Sequence, residues 1–214
     1  LGIQSDGNVQ LTLAMLSTMG VLWAYHSTVL RNDERQAEHL MHQASIRPLY
    51  LYLVAGIGLA ALLAGLGSEI SVLIRLVSGQ GFGNALRQQL AVASATLLSG
   101  LPVWLLPWRR AQRFAQVSDP SGTSERRSVA RRIYLYLFLL IATLTVLSST
   151  VFIVSRLLEL LFGAGQSEGF IYSLAHALAF SMIAAALWMY HSAILREDRK
   201  IHDSKQKQRL SKFN

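Results

Sequence analysis

Five apolar stretches, at about residues 9–30, 48–68, 84–107, 133–154 and 170–195, decide most of what this chain can fold into. Each is near or above the 20 residues an α-helix needs to cross about 30 Å of hydrocarbon. Lipid offers backbone amides no partner, which leaves helices or a closed barrel. These stretches lack the polar and apolar alternation of barrel strands. The predicted fold class is therefore all-α, a polytopic transmembrane helical bundle of five spans. Composition agrees, since 52% of the residues are hydrophobic and 15% charged, against roughly 25% charged in soluble domains. The chain has no cysteine, which excludes disulfides, thiolate metal sites and cysteine nucleophiles.

The second and fourth spans are predicted to overshoot the membrane, because Glu69 to Ser78 and Ser155 to Phe162 continue at helical spacing until Gly79 and Gly163. Residues 1–8 contain no Lys or Arg, so the basic leader of a secretory signal is missing ahead of the first span.

The net charge of +8, from 20 Lys and Arg against 12 Asp and Glu, would suggest nucleic acid in a soluble chain. Here the excess falls between apolar stretches, so it reads as topology, and no nucleic acid is expected. Arg31, Arg35 and Arg47 follow the first span, Arg109, Arg110, Arg113, Arg126, Arg127, Arg131 and Arg132 the third, and Arg196, Arg199 and Lys200 the fifth. Basic short loops stay cytoplasmic, which predicts an N-terminus outside and a C-terminus inside. The linker Val117 to Ser128, with Pro120 and Gly122, reads as a mobile cytoplasmic turn.

Arg47-Pro-Leu-Tyr-Leu-Tyr52 resembles Arg131-Arg-Ile-Tyr-Leu-Tyr136, and the same offset pairs Ser71 with Ser155, Gly79 with Gly163 and Trp104 with Trp188. This is a parallel two-helix repeat. Leu22-Trp-Ala-Tyr-His-Ser-Thr-Val-Leu-Arg31 parallels Leu187-Trp-Met-Tyr-His-Ser-Ala-Ile-Leu-Arg196, so the first helix matches only a returning half. An upstream segment with at least one more helix is expected, completing three hairpins. The resulting domains are a half-repeat with a cytoplasmic loop at 1–46, hairpins at 47–116 and 131–199, a linker at 117–130 and a basic tail at 200–214. Parallel repeats weigh against inverted-repeat transporters.

The R-x-x-Y-x-Y start, the Leu-rich tail closed by Gly and the W-x-Y-H-x-x-x-L-R exit resemble a bacterial membrane domain, domain of unknown function 5671. The resemblance covers about residues 10–200. The middle copy departs at Pro107 and Trp108, around the place where the Tyr-His pair would fall. With the charge pattern, the resemblance implies a multi-pass protein of the bacterial cytoplasmic membrane. It supplies no activity and no catalytic set.

Candidate functional residues are few. His26 and His191 occupy equivalent helix ends beside Tyr25 and Tyr190, and His176 lies deeper in the last span. Imidazole can ligate heme iron or another metal, which makes these three the weak cofactor candidates. No second span supplies a matching pair for stacked porphyrins, so no cofactor is predicted; heme or pigment is the alternative, and structural lipids fit the setting. Trp23, Tyr25, Trp104, Trp108, Trp188 and Tyr190 read as anchors in the headgroup zone. Glu69, Arg75, Arg156 and Glu159 read as outer-end charges, with Arg156 and Glu159 spaced to pair on one helix. His39 and His42 beside Glu38 make a weak metal signal, and no metal site is predicted. The hydroxyls of Thr143, Thr145, Ser148, Ser149 and Thr150 read as packing or self-bonded groups rather than a polar path.

Four-residue spacing of Gly56, Ala60 and Ala64, of Ala91 and Ala95, and of Ala175 and Ala179 predicts helix-packing faces, open to another protein or to lipid. The sequence has no G-x-S-x-G elbow, phosphate loop or H-E-x-x-H pair. The leading expectation is a noncatalytic membrane scaffold or accessory subunit, associated with lipids and with other membrane subunits or itself. A transporter or channel comes second, and a redox or pigment-binding subunit third.

Overall fold

The computed structural model describes residues 13–25, 28, 46–79, 81–117, 120–163 and 169–210. These residues form helices and turns, with no strand among them. The chain divides into two units, Leu1–Ile46 and Arg47–Asn214. In the first, α1 (Leu13–Tyr25) is a short apolar helix whose Ser17 and Thr18 hydroxyls donate to the Ala14 carbonyl. The rest is built from α2 (Ile46–Val77), α3 (Asn84–Gln116), the short α4 (Pro120–Arg127), α5 (Val129–Leu161) and α6 (Phe170–Leu210).

Four of these helices are long and apolar enough to cross a membrane: Pro48–Val77 within α2, α3, α5 and Phe170–Ile201 within α6, each 30 to 33 residues with mean hydropathy between 1.7 and 2.5. This is compatible with a multi-pass membrane protein. They outrun the apolar stretches because a helix keeps its internal hydrogen bonds after its side chains turn polar. Pro102 and Pro107 lie inside α3 without ending it, although each removes one amide from the helical ladder.

The linker expected as a turn is a helix instead. Pro120 stands at its first position, where a fixed φ and a missing amide suit a helix start. The Arg126 guanidinium donates to the Ala115 carbonyl at the end of α3, a partner for a carbonyl that the helix leaves unmet. Gly122 is packed so tightly on Val117 that a Cβ would meet its carbonyl oxygen.

The long helices run alternately up and down. α2 and α5 close alike: Gly79 has φ +81° and Gly163 φ +78°, and each amide donates to the carbonyl three residues back at 3.2 Å. This left-handed residue after a helix is where glycine costs least. α2 and α3 touch backbone to backbone. A Cβ on Gly58 would lie 2.3 Å from the Trp104 nitrogen, one on Gly65 2.6 Å from the Leu97 nitrogen, and one on Gly100 2.7 Å from the Leu62 nitrogen. The core centres on Tyr52, Ala55, Leu59, Trp108, Ala111, Tyr134, Leu135 and Phe138.

The glycine contacts yield a direct test. Gly58→Ala is expected to lower the thermal midpoint in detergent by several degrees, in line with an overpacking cost of about 1–3 kcal/mol. Gly81→Ala, where a Cβ meets nothing within 4 Å, is expected to leave it unchanged.

Candidate functional site

Arg131 occupies the middle of one end of the bundle and is 1% exposed. The helical repeat puts it there: Tyr134, Leu135, Phe138 and Ala142, the other buried residues of α5, all share its face. Ser128 starts that turn, its hydroxyl accepting from the Arg131 amide at 3.2 Å. The guanidinium is satisfied from three other helices. Nε donates to Asp198 Oδ2 at 2.8 Å and Nη2 to Oδ1 at 3.2 Å, both on α6. Nη2 also donates to Gln112 Oε1 on α3 at 2.9 Å, and Nη1 to the Tyr52 hydroxyl on α2 at 3.1 Å. That hydroxyl in turn donates to Glu125 Oε1 on α4 at 2.9 Å. One cation thus ties α2 to α6 together, through charge-assisted bonds of the stronger kind.

Aromatic rings seal this group on its membrane side. Trp108 stacks on Tyr134 with centroids 4.9 Å apart, and the Arg131 guanidinium lies 5.9 Å from the Trp108 ring, within cation–π range. The indole N–H of Trp108 donates to the Tyr190 hydroxyl at 2.6 Å, and that of Trp104 to the Tyr134 hydroxyl at 3.1 Å. His191, fully buried, is boxed in by Trp108, Tyr134, Phe138 and Tyr190, with ring centroids 5.3 to 6.3 Å away. Its Nδ1 meets the Leu187 carbonyl at 2.9 Å. In neutral imidazole that nitrogen carries the proton, leaving a lone pair on Nε2, which has no hydrogen-bond partner among the described residues.

The opposite end holds smaller polar groups. Ser94 donates to Glu69 at 2.5 Å. Arg75 donates to the Tyr172 hydroxyl and to Gln89, each at 3.1 Å. Arg156 pairs with Glu159 within α5 at 2.6 Å. The His176 ring lies against Tyr172 with centroids 4.3 Å apart and planes tilted by 53°, and its Nδ1 meets the Tyr172 carbonyl at 2.9 Å.

Among the described residues no three of His, Asp and Glu gather as metal ligands would. His176 and His191 stand apart on α6, one near its start and the other at its middle, and His26 lies outside the described residues, as do His39 and His42. Trp108, expected among headgroup anchors, is 2% exposed and central to the aromatic seal, because it falls on the α3 face shared with Ala111 and Ala115. Trp104 is half-buried, whereas Trp188, Tyr190, Trp23 and Tyr25 are exposed. Of the small residues, Gly56 faces the Tyr134 and Phe138 rings, and Ala175 and Ala179 are half-buried. Ala60, Ala64, Ala91 and Ala95 point outward instead. The close approach uses Gly58 and Gly65, seven residues apart, the spacing of a left-handed seam rather than of a four-residue motif. Thr143, Thr145 and Thr150 each donate to the carbonyl four residues back.

Counting charges by loop hides the Arg131 cluster, because it assigns every arginine to water. Phase reveals it. Arg131 shares a helical face with aromatic residues, and Asp198 lies one heptad beyond His191 on α6. Arg131→Met is expected to destabilise the protein by about 3–5 kcal/mol by leaving Asp198 uncompensated, and Arg131→Met with Asp198→Leu to recover most of that loss. Unfolding in mixed detergent micelles measures both.

A family model described as a domain of unknown function (DUF5671) matches residues 47–171. The match takes in Tyr52, Trp108, Gln112, Glu125, Arg131 and Tyr134 and stops before His191 and Asp198. Neither the curated proteins nor the solved structures contain a match to the chain. With more than half of its length matched, the chain belongs to the DUF5671 family.

Proposed function

We propose that this protein is a noncatalytic integral-membrane scaffold or accessory subunit of a larger assembly. The observation that carries the reading is the engagement of all three guanidinium nitrogens of Arg131, whose Nε, Nη1 and Nη2 each donate to groups of the chain itself. A transporter or enzyme needs its buried charge available to a substrate, at least in one state. Here that charge is spent on holding five helices in one arrangement. The outward-facing Ala60, Ala64, Ala91 and Ala95 support association, since small residues let another helix approach closely.

In this reading the protein crosses the bacterial cytoplasmic membrane five times, with α1 as the first span, the N-terminus outside and the C-terminus inside. The basic residues in the C-terminal parts of α3 and α6 and in α4 support the orientation. A parallel two-helix repeat is supported by the matching closures at Gly79 and Gly163. Its copies have diverged in packing: Tyr52 and Tyr134 are buried, whereas Tyr50 and Tyr136, their nearest neighbours in the motif, are exposed.

Two measurements test this. Extracted into nanodiscs directly from its native membrane, the protein is expected to migrate and weigh as a complex larger than one chain; a lone chain would refute the reading. In the cysteine-free background, a thiol reagent that cannot cross the membrane is expected to label Gly81→Cys in intact cells and Ser211→Cys only after permeabilisation. The reverse pattern would invert the orientation.

A further inference from the structure

At the end of the bundle away from Arg131, α2 and α3 enclose an open cleft of about 420 Å³. Its walls join apolar Ala64, Val92 and Ala93 to polar Ser68, Gln88 and Gln89. Helical phase makes the cleft: Ala64, Ser68 and Arg75 fall on one face of α2, four and seven residues apart. Gly65, beside them, draws the α3 backbone close at Leu97.

Arg75 stands over this cleft. Its Nη1 donates to Gln89 Oε1 on the cleft wall and its Nε to the Tyr172 hydroxyl on α6, each at 3.1 Å. Both partners are neutral, and Nη2 has none among the described residues. Arg131 and Arg156, by contrast, each pair with a carboxylate. Arg75 is thus a half-buried cation without a counter-charge among the described residues. The connection above it, residues 78–84, contains no acidic residue. α3 starts there with neither a side-chain cap nor an acid in its first turn, which adds to the positive potential.

Depth matches charge. α2 and α3 are each about 50 Å long at 1.5 Å per residue, against about 40–45 Å for a bilayer with its headgroups. Arg75, in the last turn of α2, therefore falls at headgroup level. Ala64 lies eleven residues deeper, about 16 Å lower, in the acyl layer. A further helix laid into the cleft would leave the guanidinium facing apolar side chains at that boundary. A phosphodiester that carries acyl chains meets the charge above and the apolar walls below.

We propose that this cleft binds an anionic glycerophospholipid. Arg75 takes the phosphate, the Gln88 amide donates to an ester carbonyl, and an acyl chain lies along Ala64 and Val92. A zwitterionic headgroup adds an ammonium, for which neither the cleft lining nor the connection above it offers a carboxylate. The inference does not rest on the assembly reading, since Ala60, Ala91 and Ala95 lie outside the cleft lining.

The test uses the full-length chain, delipidated in detergent and offered phosphatidylglycerol and phosphatidylethanolamine in equal amounts, with bound lipid read by native mass spectrometry. The wild type is expected to retain several-fold more phosphatidylglycerol. Arg75→Gln is expected to bring the two lipids level, whereas Arg87→Gln, an exposed arginine outside the cleft lining, leaves the preference intact. Ala64→Phe fills the lower cleft from an exposed position and is expected to cut phosphatidylglycerol several-fold with the thermal midpoint in lipid-free detergent unchanged. Should Arg75→Gln not fold, Ala64→Phe decides alone. Equal retention of both lipids by the wild type, or wild-type retention by either cleft variant, would overturn the proposal. Release of the bound lipid by millimolar inorganic phosphate would overturn it too, as the mark of a site for a free anion.

Discussion

A guanidinium buried in an apolar bundle needs polar partners on each of its nitrogens, and that constraint organises this protein. Removing one charge from water costs several kcal/mol even after relaxation. Arg131 offsets this with Asp198, Gln112 and Tyr52, each from a different helix. The helices are not free to slide once these bonds form. A shift of one turn, about 5.4 Å, would break all of them together. Hydrophobic packing between helices is weakly directional in lipid, so polar contacts and close backbone approach decide register. Arg131 supplies the first at one end, and Gly58, Gly65 and Gly100 supply the second along the α2 and α3 seam.

The aromatic seal follows from the same constraint. Trp108, Tyr134 and Phe138 put polarizable ring faces between the cation and the apolar interior, and the hydrogen bonds of Trp104 and Trp108 to tyrosine hydroxyls leave neither indole unmet. His191 is the exception, with Nε2 enclosed and without a hydrogen-bond partner among the described residues. Its Nδ1 is held by its own helix. The ring packs within the seal against Trp108, Tyr134, Phe138 and Tyr190.

Fold class was legible in the sequence because 20-residue apolar stretches have one solution in lipid, and Gly79 and Gly163 marked real helix ends. Helix lengths were less so. Hydropathy marks where lipid contact starts, not where backbone hydrogen bonding stops, so α3 and α6 run on past Leu105 and Leu195 into charged residues. The Pro120 to Arg127 helix was hidden by turn-forming residues that also suit a helix start. Of the small-residue positions read from the sequence, Gly56 packs against the Tyr134 and Phe138 rings, while the backbone approach of α2 to α3 uses Gly58 and Gly65, spaced by seven. For the Arg131 cluster, the phase of Arg131 with Tyr134 and Phe138 was there to be read, but its pairing with Asp198, far away in sequence, needed the fold.

The central claim is that buried charge in this protein closes on the protein itself. A high-resolution cryo-EM map of the intact assembly, extracted from its native membrane, tests it most directly. The account predicts the Arg131 guanidinium in contact with Asp198, Gln112 and Tyr52, with Trp108 and Tyr134 stacked over it and no solvent path past them. A guanidinium turned toward a hydrated path or a bound solute, with Asp198 drawn away, would contradict it.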